Sequence, residues 1–202
     1  MKHLNRKSAP RVIGGTVSRK SDAATTPSYW NTKQDDVVID VQKPGSRYKH
    51  FLRKRDILKF LNLIPNWEEL SFGLDAIVLT TGGVDYDGIY DNNGVICLSA
   101  WEKNRDIGMN AEYFFGHKDL FDRLRIKSRK IQDGYYLEFS PEQIKAFQLL
   151  HVFLHELGHH VDRMRTKSQN QAARGERFAE TFAFEHEKQM LIKYQDAFGI
   201  VF

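Results

Sequence analysis

The chain is poor in cysteine, in long apolar runs and, over its first 34 residues, in negative charge. Cys97 is the single cysteine among 202 residues. That excludes an internal disulfide framework and a cysteine-based zinc ribbon, and it fits a reducing compartment. No stretch approaches 18 consecutive apolar residues, so no transmembrane helix is expected. Residues 1–30 hold no apolar run of signal-peptide length. These absences predict a cytoplasmic protein without a membrane partner.

Residues 1–34 carry seven basic side chains and one acidic one, Asp22. They mix Ser, Thr, Gly and Pro with no apolar period and read as a flexible basic arm. The whole chain has a net charge of +4, which leaves −2 for residues 35–202. The basic balance therefore belongs to the arm, and any nucleic-acid partner would bind there and not on the domain.

What is present is an ordinary globular composition, 41% apolar, 12% aromatic and 28% charged. Residues 35–202 are long enough for one domain with its own core. A first strand is expected at 36–41, and Lys43-Pro44-Gly45-Ser46 turns the chain. Apolar residues at Ile57, Leu58, Phe60, Leu61 and Ile64 have helical spacing, which Pro65 ends. Asn66 is placed to cap a short helix, Trp67 to Leu70. Ala76 to Thr81 is the strongest strand signal. Gly88–Asp91 and Val95–Ser99 flank Asn92-Asn93-Gly94, an Asn-Gly hairpin signal. Residues 100–133 have no clear period beyond a short helix near 118–124. Their basic run, Arg123, Arg125, Lys127, Arg129 and Lys130, reads as solvated surface. A strand returns at 134–139.

Ser140 then opens the clearest helix. Pro141 stands at its first position and Gln143 three residues after the cap, the capping-box pattern. The helix is predicted to run to about Met164, and a second from about Gly175 to Tyr194. The first carries His155-Glu156-Leu157-Gly158-His159-His160-Val161-Asp162. His155 and His159 are one turn apart and project to one side, where two imidazoles can bind one Zn²⁺. Glu156 neighbours the first ligand and can serve as general base toward a metal-activated water. Gly158 is a poor helix residue, which makes sense only where another backbone comes close.

A catalytic zinc takes three protein ligands and an open position. The second helix offers Glu176 and Glu180 one turn apart, with Ala179 and Ala183 sharing their face and Phe178 and Phe182 on the opposite side for the core. Glu176 is assigned as third ligand. Glu180 is assigned as the acceptor from a ligand histidine's other N–H, with the reverse assignment left open. His151, one turn before His155, lines the pocket or supports the ligands from behind. His160 falls off the ligand face and is expected to be exposed or locally hydrogen-bonded.

Together the two motifs resemble zincin metallopeptidases of the gluzincin branch, in particular lethal-factor-like enzymes and the small bacterial regulatory metallopeptidases. Glu176-Arg177-Phe178-Ala179-Glu180-Thr181-Phe182 is similar to the Glu-x-Phe-Ala-Glu-x-Phe motif whose first Glu ligates zinc. The resemblance covers roughly 75–99 and 140–190. It implies an α+β, zincin-like fold: a small twisted mixed sheet packed on the active-site helix, with the Glu-bearing helix following and the helices near 53–72 covering the sheet. It implies one Zn²⁺ per chain and hydrolysis of a peptide bond in a peptide or protein substrate. The lethal-factor-like pattern places a tyrosine shortly before the Glu ligand, and residues 165–175 hold none. Tyr86, Tyr90 and His186 are the candidates for stabilising the transition state instead. Val95, Ile96, Cys97, Leu98 and Ser99 are the expected edge strand for pairing with an extended substrate. The competing reading from a different class is a zinc-binding regulatory module without catalysis.

Overall fold

The computed structural model describes residues 11–13, 16–18, 28–83, 86–167 and 174–202. Most of the basic arm lies outside the described residues. Within it, β1 (Arg11–Ile13) and β2 (Thr16–Ser18) pair antiparallel. Residues 28–34 do not belong to a free arm. Tyr29 is buried and its hydroxyl donates to Asp40 Oδ2 at 2.6 Å, while Lys33 pairs with Asp75 at 2.7 Å. Residues 28–34 are therefore packed on the domain.

The fold is mixed α+β. After β3 (Val38–Val41) and the short β4 (Tyr48–Lys49) come α1 (Lys54–Leu61), α2 (Trp67–Leu70) and β5 (Ala76–Thr80). The hairpin β6 (Gly88–Asp91) and β7 (Val95–Ser99) follows, then β8 (Trp101–Glu102) and β9 (Asp106–Met109). The segment without a clear apolar period continues with α3 (Ala111–Gly116), α4 (Lys118–Arg123) and the antiparallel pair β10 (Lys127–Ile131) and β11 (Gly134–Glu138). The chain ends in α5 (Pro141–Phe147), α6 (Leu154–Met164) and α7 (Gly175–Phe198).

The central sheet has the order β3-β5-β7-β6, parallel except for the antiparallel β6. Its two inner strands are buried on both faces, which is why they read as unbroken apolar runs. Ile77, Leu79, Ile96 and Leu98 face the main core, with α1 and the long helices. Ala76, Val78, Val95 and Cys97 face a smaller cluster closed by Tyr29. That second face is the reason residues 28–34 are held down. Gly94 closes the hairpin at φ +90, with Gly73 O only 2.7 Å from where a Cβ would stand, so the Asn-Gly signal marks a position glycine alone fits.

The Ser140 cap forms as its sequence implies: Ser140 Oγ accepts from the Gln143 N–H, and Gln143 Oε1 accepts from the Ser140 N–H. Asn66 does not cap. It sits in the left-handed region at φ 56, which carries its side chain away from the first turn of α2. Of the basic run, Arg123 is not simply solvated. It clamps the fully buried Glu187 of α7 through two hydrogen bonds, since a carboxylate cannot be buried without such a partner.

Candidate metal centre

The helix from Pro141 to Met164 is continuous, but it changes its winding. Between α5 and α6, residues Gln148–Phe153 form a π-helical segment. Such segments interrupt the 3.6-residue period and recur at functional sites. Here it lies directly ahead of His155 and includes His151.

Three ligand atoms meet at the surface of α6. His155 Nε2 lies 3.1 Å from Glu176 Oε2, His159 Nε2 lies 3.3 Å from Glu176 Oε1, and the two imidazole nitrogens are 3.2 Å apart. Nitrogen and oxygen ligands bound tetrahedrally at about 2.0–2.1 Å stand about 3.3–3.4 Å from each other. The two imidazole nitrogens, each with one oxygen of the Glu176 carboxylate beside it, stand close to the ligand-to-ligand separation of a zinc tetrahedron, and the three residues could hold such an ion. The tautomer fits as well. His155 Nδ1 faces Glu180 Oε2 at 3.0 Å, and a carboxylate only accepts, so Nδ1 donates to it; Nε2, which also lies beside a carboxylate, would then present its lone pair to an ion held between it and Glu176. Glu180 thus faces Nδ1 of His155, while Glu176 faces Nε2 of both His155 and His159.

The close approach of α6 and α7 makes this geometry. A Cβ on Gly158 would stand 2.8 Å from Ala179 Cα. Only glycine on one helix and alanine on the other let Glu176 reach across. Asp162 sets the start of α7: its Oδ2 accepts from the N–H groups of Arg174 and Gly175 at 2.6 and 3.0 Å, and its Oδ1 from Arg174 Nε at 2.7 Å. The Arg174 guanidinium in turn lies 3.6 Å from the ring of Phe178. Glu176, two residues into α7, is positioned by this anchor.

Glu156 points between α6 and β6. It is buried, and burial pushes its carboxyl up to about 7; nearby His155 opposes this and Glu176 adds to it. The Tyr90 backbone N–H bonds to it. Gly88 lets β6 pass this close, since a Cβ there would meet Val152 Cγ1 at 2.5 Å. A group with a pKa near neutrality, held beside three ligand atoms, can both take and return a proton.

The edge strand is β6, not Val95–Ser99. Residues Val95, Ile96, Cys97, Leu98 and Ser99 form β7, which is hydrogen-bonded on both sides and buried throughout, so it has no free edge to offer. Gly88, Ile89 and Tyr90 of β6 instead line a cleft with His155, Glu156 and His159. On the other side of the ligands opens a cavity of about 560 Å³ that reaches Tyr86, Tyr113, His117 and His151.

His160 is neither exposed nor locally bonded. It is fully buried, accepts from the Tyr90 hydroxyl at Nδ1 (3.0 Å) and donates from Nε2 to the Phe72 carbonyl (3.1 Å). Burial holds its pKa down, to about 4. Tyr90 is thereby committed to His160, while Tyr86 lines the cavity. His186 bonds to the Phe182 carbonyl and faces a separate groove beside Pro65 and Asn66, away from the ligands. His117 was not among the residues singled out from the sequence. It lies in the patternless stretch 100–133, and nothing local marks it. Among the described residues, no helix is long and apolar enough to cross a membrane.

No protein-family model, no curated protein and no solved structure matches the chain.

Proposed function

We propose that the protein is a zinc-dependent peptidase, with His155, His159 and Glu176 as metal ligands and Glu156 as general base. The convergence of both imidazole Nε2 atoms on each other and on the Glu176 carboxylate, with contacts of 3.1–3.3 Å, carries this reading. Zinc bound there supplies a Lewis acid that polarises a carbonyl and lowers the pKa of water. Glu156 takes the proton from the attacking water and delivers it to the leaving amine. Glu180 fixes the tautomer and orientation of His155. An extended peptide pairs with the free edge of β6, which brings its backbone across the cleft above Glu156. The mixed sheet with its antiparallel edge strand lying over α6 supports the zincin-like fold that the motifs suggest. The buried, unpaired Cys97 accords with work in a reducing cytoplasm.

Elemental mass spectrometry of wild type and Glu176→Gln, combined with cleavage of a mixed peptide library, tests this reading. Removal of a first ligand should lower zinc retention at this cluster at least tenfold and abolish cleavage. Unchanged zinc at these residues, or cleavage that survives in Glu176→Gln, would refute it.

A further inference from the structure

A second convergence of ligand-type side chains lies in the same cavity, and the hydrolytic reading leaves it without a role. His117 Nε2 stands 3.0 Å from Glu180 Oε1, and His151 Nε2 stands 4.0 Å from Glu180 Oε2. One ligand atom from each of the three residues lies within 4.8 Å of the others. The residues come from three separate places: the end of α3, the π-helical segment and α7. Both histidines are buried, at 7% and 3% exposure.

The hydrogen bonds show what is missing. His117 Nδ1 is 2.8 Å from the Tyr113 carbonyl, which only accepts, so Nδ1 carries a proton. In the neutral ring Nε2 then turns a lone pair toward a carboxylate oxygen at 3.0 Å. Two acceptors at that distance need a positive species between them. A backbone-anchored Nδ1–H with a free Nε2 is also the arrangement of a metal-ligating histidine.

His151 supplies the second observation. Among the described residues its Nδ1 has no hydrogen-bond partner, and its Nε2 reaches only the 4.0 Å contact with Glu180. Burying an imidazole without hydrogen bonds is unfavourable unless something satisfies it. His160 makes the contrast within one molecule: equally buried, it has a partner at each nitrogen. A proton on His117 answers the first observation but leaves His151 unpaired. Protonating both rings would set two cations side by side, with ring centroids 4.6 Å apart. One divalent ion accepts the Nε2 lone pairs of both rings and a Glu180 oxygen, which gives His151 a partner at Nε2, the nitrogen that faces the cluster.

We propose that His117, His151 and Glu180 form a second transition-metal site, for zinc or a related divalent ion, sharing Glu180 with the His155 that it orients. Two imidazoles and one carboxylate suit Zn²⁺, and the open cavity leaves room for water or a substrate group at the remaining position. The ligand atoms are more widely spaced than in the first cluster, so binding draws the His151 ring toward Glu180. Because Glu180 touches both clusters, occupancy of one site changes affinity at the other.

The test is zinc stoichiometry on the full chain, stripped by chelator, reloaded with ZnCl₂, dialysed and analysed by elemental mass spectrometry. Circular dichroism establishes that each variant is folded. Wild type should retain two zinc ions per chain, and His117→Gln and His151→Gln one each. If the buried His151→Gln fails to fold, His117→Gln still decides the question. One zinc in wild type that His117→Gln leaves in place and Glu176→Gln removes would overturn the second site; the Glu180 cluster would then be a hydrogen-bond network alone. One zinc lost in His117→Gln but kept in Glu176→Gln would support this site and count against the first.

Discussion

The two clusters that meet at Glu180 are built in different ways. His155 and His159 come from adjacent turns of one helix, and Glu176 crosses from the next helix with 82% of its side chain exposed. Each imidazole nitrogen sits within 3.3 Å of the other and of one Glu176 oxygen before any ion is considered. His117, His151 and Glu180 come from three segments, are mostly buried and stand farther apart. In the first cluster local helical geometry brings two of the proposed ligands together, and only one tertiary contact is needed. In the second every distance is tertiary. A site of the first kind announces itself in sequence; one of the second kind does not.

The largest expected effect separates chemistry from binding within the first cluster. Glu156→Gln keeps the shape of the side chain and removes the proton acceptor. Peptide cleavage followed by mass spectrometry should fall by about 10²–10⁴-fold, with zinc content unchanged. Cleavage at the wild-type rate would remove Glu156 as base.

The third buried histidine, His160, sharpens the contrast by pH. Its folded-state pKa is about 4, against roughly 6.5 in an unfolded chain. Between those values the unfolded chain binds a proton that the folded one refuses. Stability is therefore fully present above about pH 6.5 and is lost as pH falls toward 4, by about 3 kcal/mol. Urea unfolding of metal-stripped protein at pH 7 and pH 4.5 measures the loss. Replacing His160 by Gln should flatten that part of the slope; an unchanged slope would assign it to other groups.

Gly158 sets the distance between α6 and α7, on which both clusters depend. Gly158→Val places its Cβ where Ala179 backbone already stands, at a cost of about 1–3 kcal/mol in overpacking. Thermal unfolding should show a drop of several degrees, and zinc binding should weaken with it. A variant as stable as wild type would mean that the helices separate without strain.

Glu180→Gln gives the smallest effect and bears most directly on the comparison. At the first cluster it removes a supporting acceptor, not a ligand, so zinc affinity there should weaken about 10–100-fold. Competition with a chromogenic chelator reads this change. An unaltered affinity would show that His155 does not need Glu180 to hold its tautomer.

The long helix was legible because its start is chemical. Ser140, Pro141 and Gln143 satisfy terminal N–H groups locally, so their spacing alone predicts the cap that forms. The Gly94 turn was legible for the same reason. Gly158 and Ala179 pointed to a close helix approach because small residues at helical spacing have few other uses. The π-helical turn had no such signal: it changes hydrogen-bond register without requiring a particular residue. The free edge was misplaced on Val95–Ser99 because an inner strand and an edge strand of a hairpin carry similar apolar runs. Pairing with β5 buries β7 and leaves β6 at the margin. His160 looked peripheral because its partners, Tyr90 and Phe72, are 70 and 88 residues away.

The sequence by itself determined the elements that rest on local rules: the capped helix, the hairpin, two imidazoles on one helical face and the pair of carboxylates one turn apart. Tertiary structure alone decided which carboxylate reaches those imidazoles, which strand keeps an open edge, that Asp162 anchors α7, and that His117 and His151 converge on Glu180. The division follows from range. Capping, periodicity and turn chemistry act over a few residues and leave their mark in order along the chain. A distance between segments far apart in sequence is set by how the whole core packs, and no short stretch of residues records it.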